Sequence, residues 1–176
     1  TGIGTLLADD PRMTVRLENT TRQPLRVIVD SHLRTPADSS MLDPETLKSS
    51  PVLIAYADDQ DKQADKLRLA GVELLSVADS RKKVDLTALL KLLAQRGINE
   101  VLIEAGQGLN GALLEAGLID EFIFYYAPKL MGSAAKAMFA MPELTEMRQV
   151  TDLQILDMRQ VGSDIRVRAR PGKVFS

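Results

Sequence analysis

The stretch VLIEAGQGLNGALLEAGLIDEFIFYYAPKLMGS, residues 101–133, decides the fold of this chain. Its apolar start, residues 101–103, predicts a short strand, and the acid Glu104 follows at the carboxyl end of that strand. A glycine turn at Gly106 and Gly108 then leads into an amphipathic helix. Because backbone N–H groups at a helix N-terminus can face a phosphate, this order predicts an anion-binding turn beside a carboxylate. The pattern is typical of an enzyme that uses a nucleotide cofactor.

Gly106, Gly108 and Gly111 match the pattern G-x-G-x-x-G, but their surroundings differ from those of a standard Rossmann domain. In such a domain the motif opens the fold, and an acid at the end of the next strand binds the ribose. Here the motif comes late, and Asp120 and Glu121 start the next strand instead of ending it. A second interpretation stays open, in which the glycines only make a tight connection between strand and helix.

The rest of the chain alternates between predicted strands and helices. Short apolar or β-branched runs predict strands at residues 25–29, 52–56, 72–77 and 122–126. Helices are predicted at residues 59–70 with Gly71 as the stop, at 86–93 between Asp85 and Gly97, and at 109–116 with Gly117 as the stop. A loop rich in proline and serine is predicted for residues 32–50.

The C-terminal part changes character. Residues 150–161 and 164–170 alternate apolar and polar side chains, and Gly162 and Ser163 join them, which predicts an antiparallel hairpin. Strand–helix alternation before it predicts an α/β fold with a mixed, mostly parallel sheet that is flanked by helices and carries this hairpin at its edge. Because the chain has 176 residues, we expect it to form one domain.

Composition excludes several classes of function. The formal net charge is −2, which is not the footprint of a nucleic-acid-binding protein. With no cysteine and one histidine, the chain offers no disulfide, no cysteine-ligated zinc and no histidine-rich metal site, so we expect no metal. No apolar run approaches the roughly 18 residues that span a bilayer, and no signal peptide opens the chain, so we expect a cytoplasmic location.

Three blocks of sequence resemble the reductase domain of the bifunctional riboflavin-biosynthesis deaminase/reductase, which has a dihydrofolate-reductase-like fold. They are GIGTLLADDP running on to MTVR at residues 2–16, PLRVIVDS at residues 24–31, and residues 103–133 with EAG and APKLMG. They come in the family's order and cover nearly the whole chain. The resemblance implies reduction by NADPH of 5-amino-6-(5-phosphoribosylamino)uracil to the ribitylamino product. Separately, the alternating apolar residues on the edge of the predicted C-terminal hairpin would suit dimer formation, so we expect a homodimer.

The resemblance also implies roles for individual residues. It places NADP contacts at Thr5, Asp9, Ser31, Gly106, Gln107, Gly108, Leu109, Asn110, Gly111 and Ala112. It places substrate contacts at Met13, which stands where the family usually has leucine, at Arg16 and at Glu104. Arg16 suits a charge-assisted grip on the substrate phosphate. Glu104 is the candidate catalytic acid, because hydride arrival at a C=N or C=O carbon creates a demand for a proton.

Plainer interpretations remain beside these roles. Asp9 and Asp10 before Pro11 could only form a turn, and Arg16 could be an ordinary surface arginine. Glu104 is harder to dismiss, since a carboxylate that ends a buried strand must be paired or face a cleft. We assign no role to His32.

The chain begins within the first family-like block, at Thr1, without a methionine. We therefore expect a reductase domain, residues 1–176, truncated at its N-terminus, with an upstream strand and the zinc deaminase domain absent and with little activity in isolation. Two rival functions are a dihydrofolate or pteridine-type reductase and a non-catalytic module for dimerisation. Low aromatic content argues against a flat-ring pocket, and the retained Glu104, Asp9 and Arg16 argue against a purely structural role.

Overall fold

A computed structural model describes residues 1–172 of the chain. These residues form two compact units, the first comprising Thr1–Leu109 and the second beginning at Asn110. A parallel sheet lies in the first unit and an antiparallel sheet in the second. The expected α/β class is therefore confirmed, although the described strands form two three-stranded sheets, with the hairpin in the antiparallel one, and not a single, mostly parallel sheet.

The first unit contains a three-stranded parallel sheet with the strand order β1-β2-β3. Its helices and strands are α1 Ile3–Asp9, β1 Arg26–Val29, α2 Pro44–Ser49, β2 Val52–Tyr56, α3 Ala64–Leu69, β3 Glu73–Ser76 and α4 Leu86–Gln95. Near the amino end of the chain, Gly2 forms a parallel bridge to Val29, so α1 begins beside the carboxyl end of β1. All three strands predicted for this part are confirmed within one residue at each end.

The central position of β2 in the sheet explains why residues 52–56 are continuously apolar. Val52 and Ile54 belong to one hydrophobic cluster, together with Leu6 of α1, and Leu53 and Ala55 belong to a second cluster. Because alternate residues of a strand point to opposite faces, β2 is buried on both sides. Such a strand shows a continuous apolar run and no alternation.

Helix α4 forms for the reasons that its sequence indicates. The carboxylate of Asp85 accepts the Ala88 N–H at 2.9 Å, which satisfies one of the free donors at the helix start. Leu89 and Leu93 are buried against the second cluster. Gly97 follows the helix with φ +78°, a left-handed conformation that glycine adopts without strain. The predicted cap, apolar stripe and stop are all confirmed.

Two helices in the first unit were not predicted. Helix α2 lies within the predicted loop and is capped by Asp43, whose carboxylate accepts the Thr46 N–H at 2.9 Å. Helix α1 is only seven residues long and lacks a side-chain cap, so its sequence carries little signal. Helix α3 begins at Ala64 and not at the predicted residue 59. The Asp59 carboxylate accepts the Gln63 N–H at 2.7 Å and holds the preceding residues in a turn.

The second unit contains an antiparallel sheet with the strand order β4-β6-β5. Its strands are β4 Phe122–Tyr126, β5 Leu153–Val161 and β6 Asp164–Pro171. The predicted hairpin is confirmed, because β5 and β6 are joined through Gly162 and Ser163, with Gly162 at φ +60°. Helix α5, Gln107–Glu115, begins two residues before the predicted helix, at the glycine turn, and ends one residue before its predicted end.

The strand predicted at residues 101–103 is wrong. These residues have no strand assignment, and within the described part of the chain no strand pairs with them. Val101 is 44% exposed and Leu102 is 73% exposed. An apolar run shows only that a segment favours burial, whereas a strand exists only where a neighbouring strand accepts its hydrogen bonds.

The described residues also limit two other possibilities. No helix among residues 1–172 is long and apolar enough to cross a membrane. Within the same residues, no group of three or more histidine, cysteine, aspartate or glutamate side chains lies close enough together to hold a metal ion.

Candidate functional site

A hydrogen bond joins α1 to the glycine turn. Thr5 Oγ1 accepts the Gly106 N–H at 3.0 Å, although the two residues are 101 positions apart. Gly2, at the start of α1, is buried, and a Cβ placed there would lie 3.4 Å from Leu109 Cβ. Two segments that are distant in the sequence thus meet in the first unit, and both had been predicted to contact the cofactor.

The backbone of the glycine turn is open to a ligand. A Cβ on Gly108 would meet nothing within 4 Å, and a Cβ on Gly106 would meet only Thr5 Oγ1, at 3.6 Å. Gly106, Gln107 and Gly108 are exposed. Because the first N–H groups of a helix lack intrahelical acceptors, a helix start such as that of α5 favours the binding of an anion. A bulky group can therefore approach this backbone closely.

Glu104 lies just before the turn, but not at the end of a strand as predicted. Its side chain is exposed, so burial does not force it to be paired or to face a cleft. In the chain Glu104 stands two residues before Gly106, whose N–H bonds to Thr5 Oγ1.

Ser31 follows β1 directly and is held by its neighbours. Its hydroxyl oxygen accepts the Val84 N–H at 3.2 Å, and its carbonyl oxygen accepts the Ala57 N–H at 3.1 Å. The hydroxyl hydrogen takes no part in the bond with Val84 and can be donated to a ligand. The preceding residue, Asp30, is buried, and its carboxylate accepts both the N–H and the hydroxyl of Thr35 at 2.8 Å.

The remaining predicted residues of the first unit lie on or after α1. Asp9 is the last residue of α1 and is exposed. Met13 is half-buried against the cluster that contains Leu6, and its φ of 54° is unusual for a residue with a side chain. The side chain of Arg16 is exposed. Met13 is thus anchored to the core, while Arg16 is open to a ligand.

Three residues of the predicted cofactor segment lie in the second unit, and two of them have a packing role there. The Asn110 side chain donates from Nδ2 to the Met138 carbonyl oxygen at 3.1 Å. Gly111 is buried, and a Cβ there would lie 2.1 Å from the Ala140 carbonyl oxygen. Ala112 is exposed. The glycine at 111 is therefore needed for close packing, whatever its role towards a ligand.

Sequence patterns missed several residues that shape the segment after α1. The Asp10 carboxylate accepts the N–H and the hydroxyl of Ser40, both at 2.7 Å, and these bonds lower the pKa of Asp10. The Arg26 side chain is buried and donates from Nη1 to the Arg12 carbonyl oxygen at 2.9 Å. Its pKa is lowered by burial. These partners are separated by 14 to 30 residues, so no local pattern indicates them.

Comparison with known proteins identifies the family. A family model described as "RibD C-terminal domain" matches residues 1–167. The riboflavin biosynthesis protein RibD of Bacillus amyloliquefaciens is 33% identical over 172 residues, which are 97% of this chain and 45% of that protein. The 5-amino-6-(5-phosphoribosylamino)uracil reductase of Buchnera aphidicola subsp. Acyrthosiphon pisum is 31% identical over 182 residues, covering 97% of this chain and 84% of that protein.

A solved structure supports the same relationship. Acinetobacter baumannii RibD, form 2, matches with a TM-score of 0.78 and 37% sequence identity, covering 97% of this chain and 46% of that one. The chain thus spans about half the length of the RibD proteins that it matches. With a family model that covers nearly all of its residues, this chain belongs to the RibD C-terminal domain family.

Proposed function

We propose that this chain catalyses the NADPH-dependent reduction of 5-amino-6-(5-phosphoribosylamino)uracil to the ribitylamino product in riboflavin biosynthesis. A relative that carries this reductase name matches the chain over 97% of its residues. The observation that carries the proposal is the bond between Thr5 and the exposed turn at Gly106, which brings two predicted cofactor segments together. Helix N-termini of this kind bind the phosphates of nucleotide cofactors in other folds.

The residues of the first unit fit a dinucleotide phosphate. The turn at Gly106 and Gly108 has no side chain that would block the backbone, and α5 begins there. Thr5 and Ser31 have hydroxyl groups that can donate to phosphate or ribose oxygens. We assign the cofactor to Thr5, Asp9 and Ser31 together with Gly106, Gln107, Gly108, Leu109, Asn110, Gly111 and Ala112.

The chemistry needs a hydride donor and a proton source. When bound, NADPH supplies the hydride to the C=N or C=O carbon of the ring-opened ribose. Glu104 is the proposed catalytic group, because its carboxyl group lies directly before the turn, where it would pass a proton to the neighbouring heteroatom or stabilise positive charge there. Arg16 binds the substrate phosphate by a charge-assisted pair, and Met13 contacts the substrate from its anchored position.

The wider context is also a proposal. Since the matching RibD proteins are about twice as long as this chain, we propose that it is the reductase part of a deaminase/reductase whose zinc site lies in the other part. The long edge strand β5 carries exposed apolar residues, which supports a homodimer. The proposed compartment is the cytoplasm, in keeping with the composition.

Titration of NADPH by fluorescence on the full-length protein tests these roles. Gly108→Val should abolish binding without unfolding the protein, because the new side chain meets only solvent or ligand. Its matched control is Gly132→Val, where a Cβ also meets nothing within 4 Å. Glu104→Gln should keep NADPH binding and lose turnover by about 10²-fold or more. The exposed neighbour Glu100→Gln should keep both.

Each failure has a distinct meaning. If the wild-type protein binds no NADPH, the cofactor assignment is wrong, and a non-catalytic dimerisation module becomes the leading function. If it binds NADPH but reduces a folate or pterin in place of the phosphorylated substrate, the rival reductase function is correct. If Glu104→Gln retains full turnover, another group supplies the proton.

A further inference from the structure

We propose that Gln23 is a positioning residue for the substrate, acting through Arg16; this inference rests on the proposed function. The side-chain amide of Gln23 forms two hydrogen bonds to one residue, Val15. Gln23 Oε1 accepts the Val15 N–H at 2.9 Å, and Gln23 Nε2 donates to the Val15 carbonyl oxygen at 2.9 Å. Val15 directly precedes Arg16. The amide therefore satisfies both backbone groups of the neighbour of the phosphate-binding residue.

The segment around Arg16 depends on such ties because it has no regular secondary structure. Between α1 and β1, residues 10–25 contain neither helix nor strand. Asp10 has φ 41° and Met13 has φ 54°, a region that side chains disfavour and that persists only where surrounding contacts impose it. The bonds to Asp10 and to the Arg12 carbonyl oxygen hold the first half of the segment. Gln23 holds the second half.

Because Gln23 holds the backbone at Val15, the next residue, Arg16, is better placed to bind a phosphate. A guanidinium that meets a phosphate in a two-bond geometry must be placed accurately, and an arginine side chain loses much rotational freedom when it is fixed. If the backbone at residue 15 were also mobile, substrate binding would have to order this backbone as well as the Arg16 side chain. The Gln23 clamp, which consists of the two hydrogen bonds between the Gln23 amide and Val15, orders the backbone before substrate arrives, so it should lower KM without changing the chemical step.

The two hydrogen bonds of the Gln23 clamp can be removed together or one at a time. Gln23→Leu removes the donor and the acceptor while keeping a similar shape. Gln23→Glu keeps an acceptor for the Val15 N–H but cannot donate to the Val15 carbonyl oxygen when ionised. Because the clamp is exposed, neither change should unfold the protein. The buried Arg26 offers no such clean test, since its loss would leave core polar groups unpaired.

Steady-state kinetics on the full-length protein should separate the clamp from a general structural role. We expect Gln23→Leu to raise KM for the phosphorylated substrate by about tenfold and Gln23→Glu by less, with kcat within about twofold and unchanged NADPH affinity. The matched control is Gln60→Leu, whose exposed amide donates to Asp58 Oδ2 at 2.8 Å, far from Arg16 in the sequence. This control should leave KM unchanged.

A double-mutant cycle gives the decisive comparison. In an Arg16→Ala background, Gln23→Leu should cause no further rise in KM, because the clamp acts through Arg16. The same absence of effect is expected with substrate that lacks its phosphate. Equal rises in KM with and without Arg16, or an unchanged KM in Gln23→Leu, would overturn the proposal.

Hydrogen exchange at the Val15 amide checks the clamp without substrate. Faster exchange of this amide in Gln23→Leu, together with an unchanged KM, would show a clamp that has no part in substrate binding and would overturn the inference while leaving the reductase function intact. Wild-type protein that fails to bind NADPH or to reduce the substrate would overturn the proposed function, and the positioning role of Gln23 would fall with it.

Discussion

The parallel and antiparallel sheets use the same number of strands but bury them very differently. In the parallel sheet, the central strand β2 is covered on both faces, and Ile54 is 0% exposed. In the antiparallel sheet, most of β5 is exposed, and Ile155 is 63% exposed. The first sheet is held by apolar packing within the chain, whereas an apolar face of the second is left partly uncovered.

The opposite face of the antiparallel sheet relies on charge. Arg166 forms an ion pair with Asp157, and Arg168 forms one with Glu121 across 2.6 Å. Both pairs are partly buried, so they are less screened by solvent than fully exposed pairs, which contribute about 0–1 kcal/mol each. We therefore infer that the two regions differ in what limits their stability. The stability of the parallel region depends mainly on the packing of its core. The stability of the antiparallel region depends on its ion pairs and on the burial of the β5 face.

The largest expected effect tests burial directly. Ile54→Ala should lower the free energy of unfolding by about 2–5 kcal/mol, because it opens a cavity between packed layers. Ile155→Ala should cost less than about 0.5 kcal/mol in the monomer, since its side chain is exposed. Urea unfolding at two protein concentrations measures both. If Ile155→Ala loses as much stability as Ile54→Ala at the higher protein concentration, Ile155 is buried in the proposed homodimer.

An intermediate effect compares the two glycines of α5 that lie on either side of the boundary between the units. At Gly111 a Cβ would lie 2.1 Å from the Ala140 carbonyl oxygen, so Gly111→Ala should cost about 1–3 kcal/mol. At Gly108 a Cβ meets nothing within 4 Å, so Gly108→Ala should leave the thermal midpoint unchanged or raise it. A Gly111→Ala protein of wild-type stability would show that residue 140 does not pack on α5.

The smallest effect concerns pH and the polar face of the antiparallel sheet. The hydrogen bond from Arg168 is the main cause that lowers the pKa of Glu121 below 4.5, and nearby arginines add to it. A lowered pKa stabilises the folded state fully above the unfolded value of 4.5, and this contribution is lost as the pH falls through the folded value. Glu121→Gln should therefore be less stable than wild type at neutral pH, and the difference should shrink in acid.

Urea midpoints measured as a function of pH check this expectation. The matched variant is Asp43→Asn in the parallel region, where the pKa is lowered mainly by the side-chain hydrogen bond from Thr46. Both differences from wild type should shrink as the pH falls below the ordinary pKa values, 4.5 for Glu121 and 3.8 for Asp43. If the difference in urea midpoint between wild type and Glu121→Gln does not change with pH, the charge of Glu121 contributes nothing to folding stability.

Much of the fold could be predicted because its signals are local. The buried run of β2, the cap at Asp85 and the stop at Gly97 each depend on residues within a few positions of one another. The hairpin between β5 and β6 has a two-residue connection and clear alternation. Short helices such as α1 escaped prediction because seven residues without a cap carry little periodic signal.

The residues of the candidate site remain predictions, and the structure supplies only part of their arrangement. Resemblance placed Thr5, Ser31 and Gly106 in one site, and the bond from Gly106 to Thr5 agrees with that grouping. The cofactor, substrate and catalytic roles remain predictions. The strand expected before Glu104 was wrong, because the apolar run at residues 101–103 finds no strand partner in the described part of the chain.

The sequence by itself determined the family of this chain and its α/β class, together with most strand positions, the helix cap at Asp85 and the glycine stops after three helices. These depend on similarity and on periodicity, which are present in the order of residues. Only the tertiary structure decided that Gln23 clamps Val15, that Asp10 binds Ser40, and that Gly111 lies against Ala140. Such contacts join residues 8 to 30 positions apart, so they depend on the path of the backbone, which no local pattern specifies.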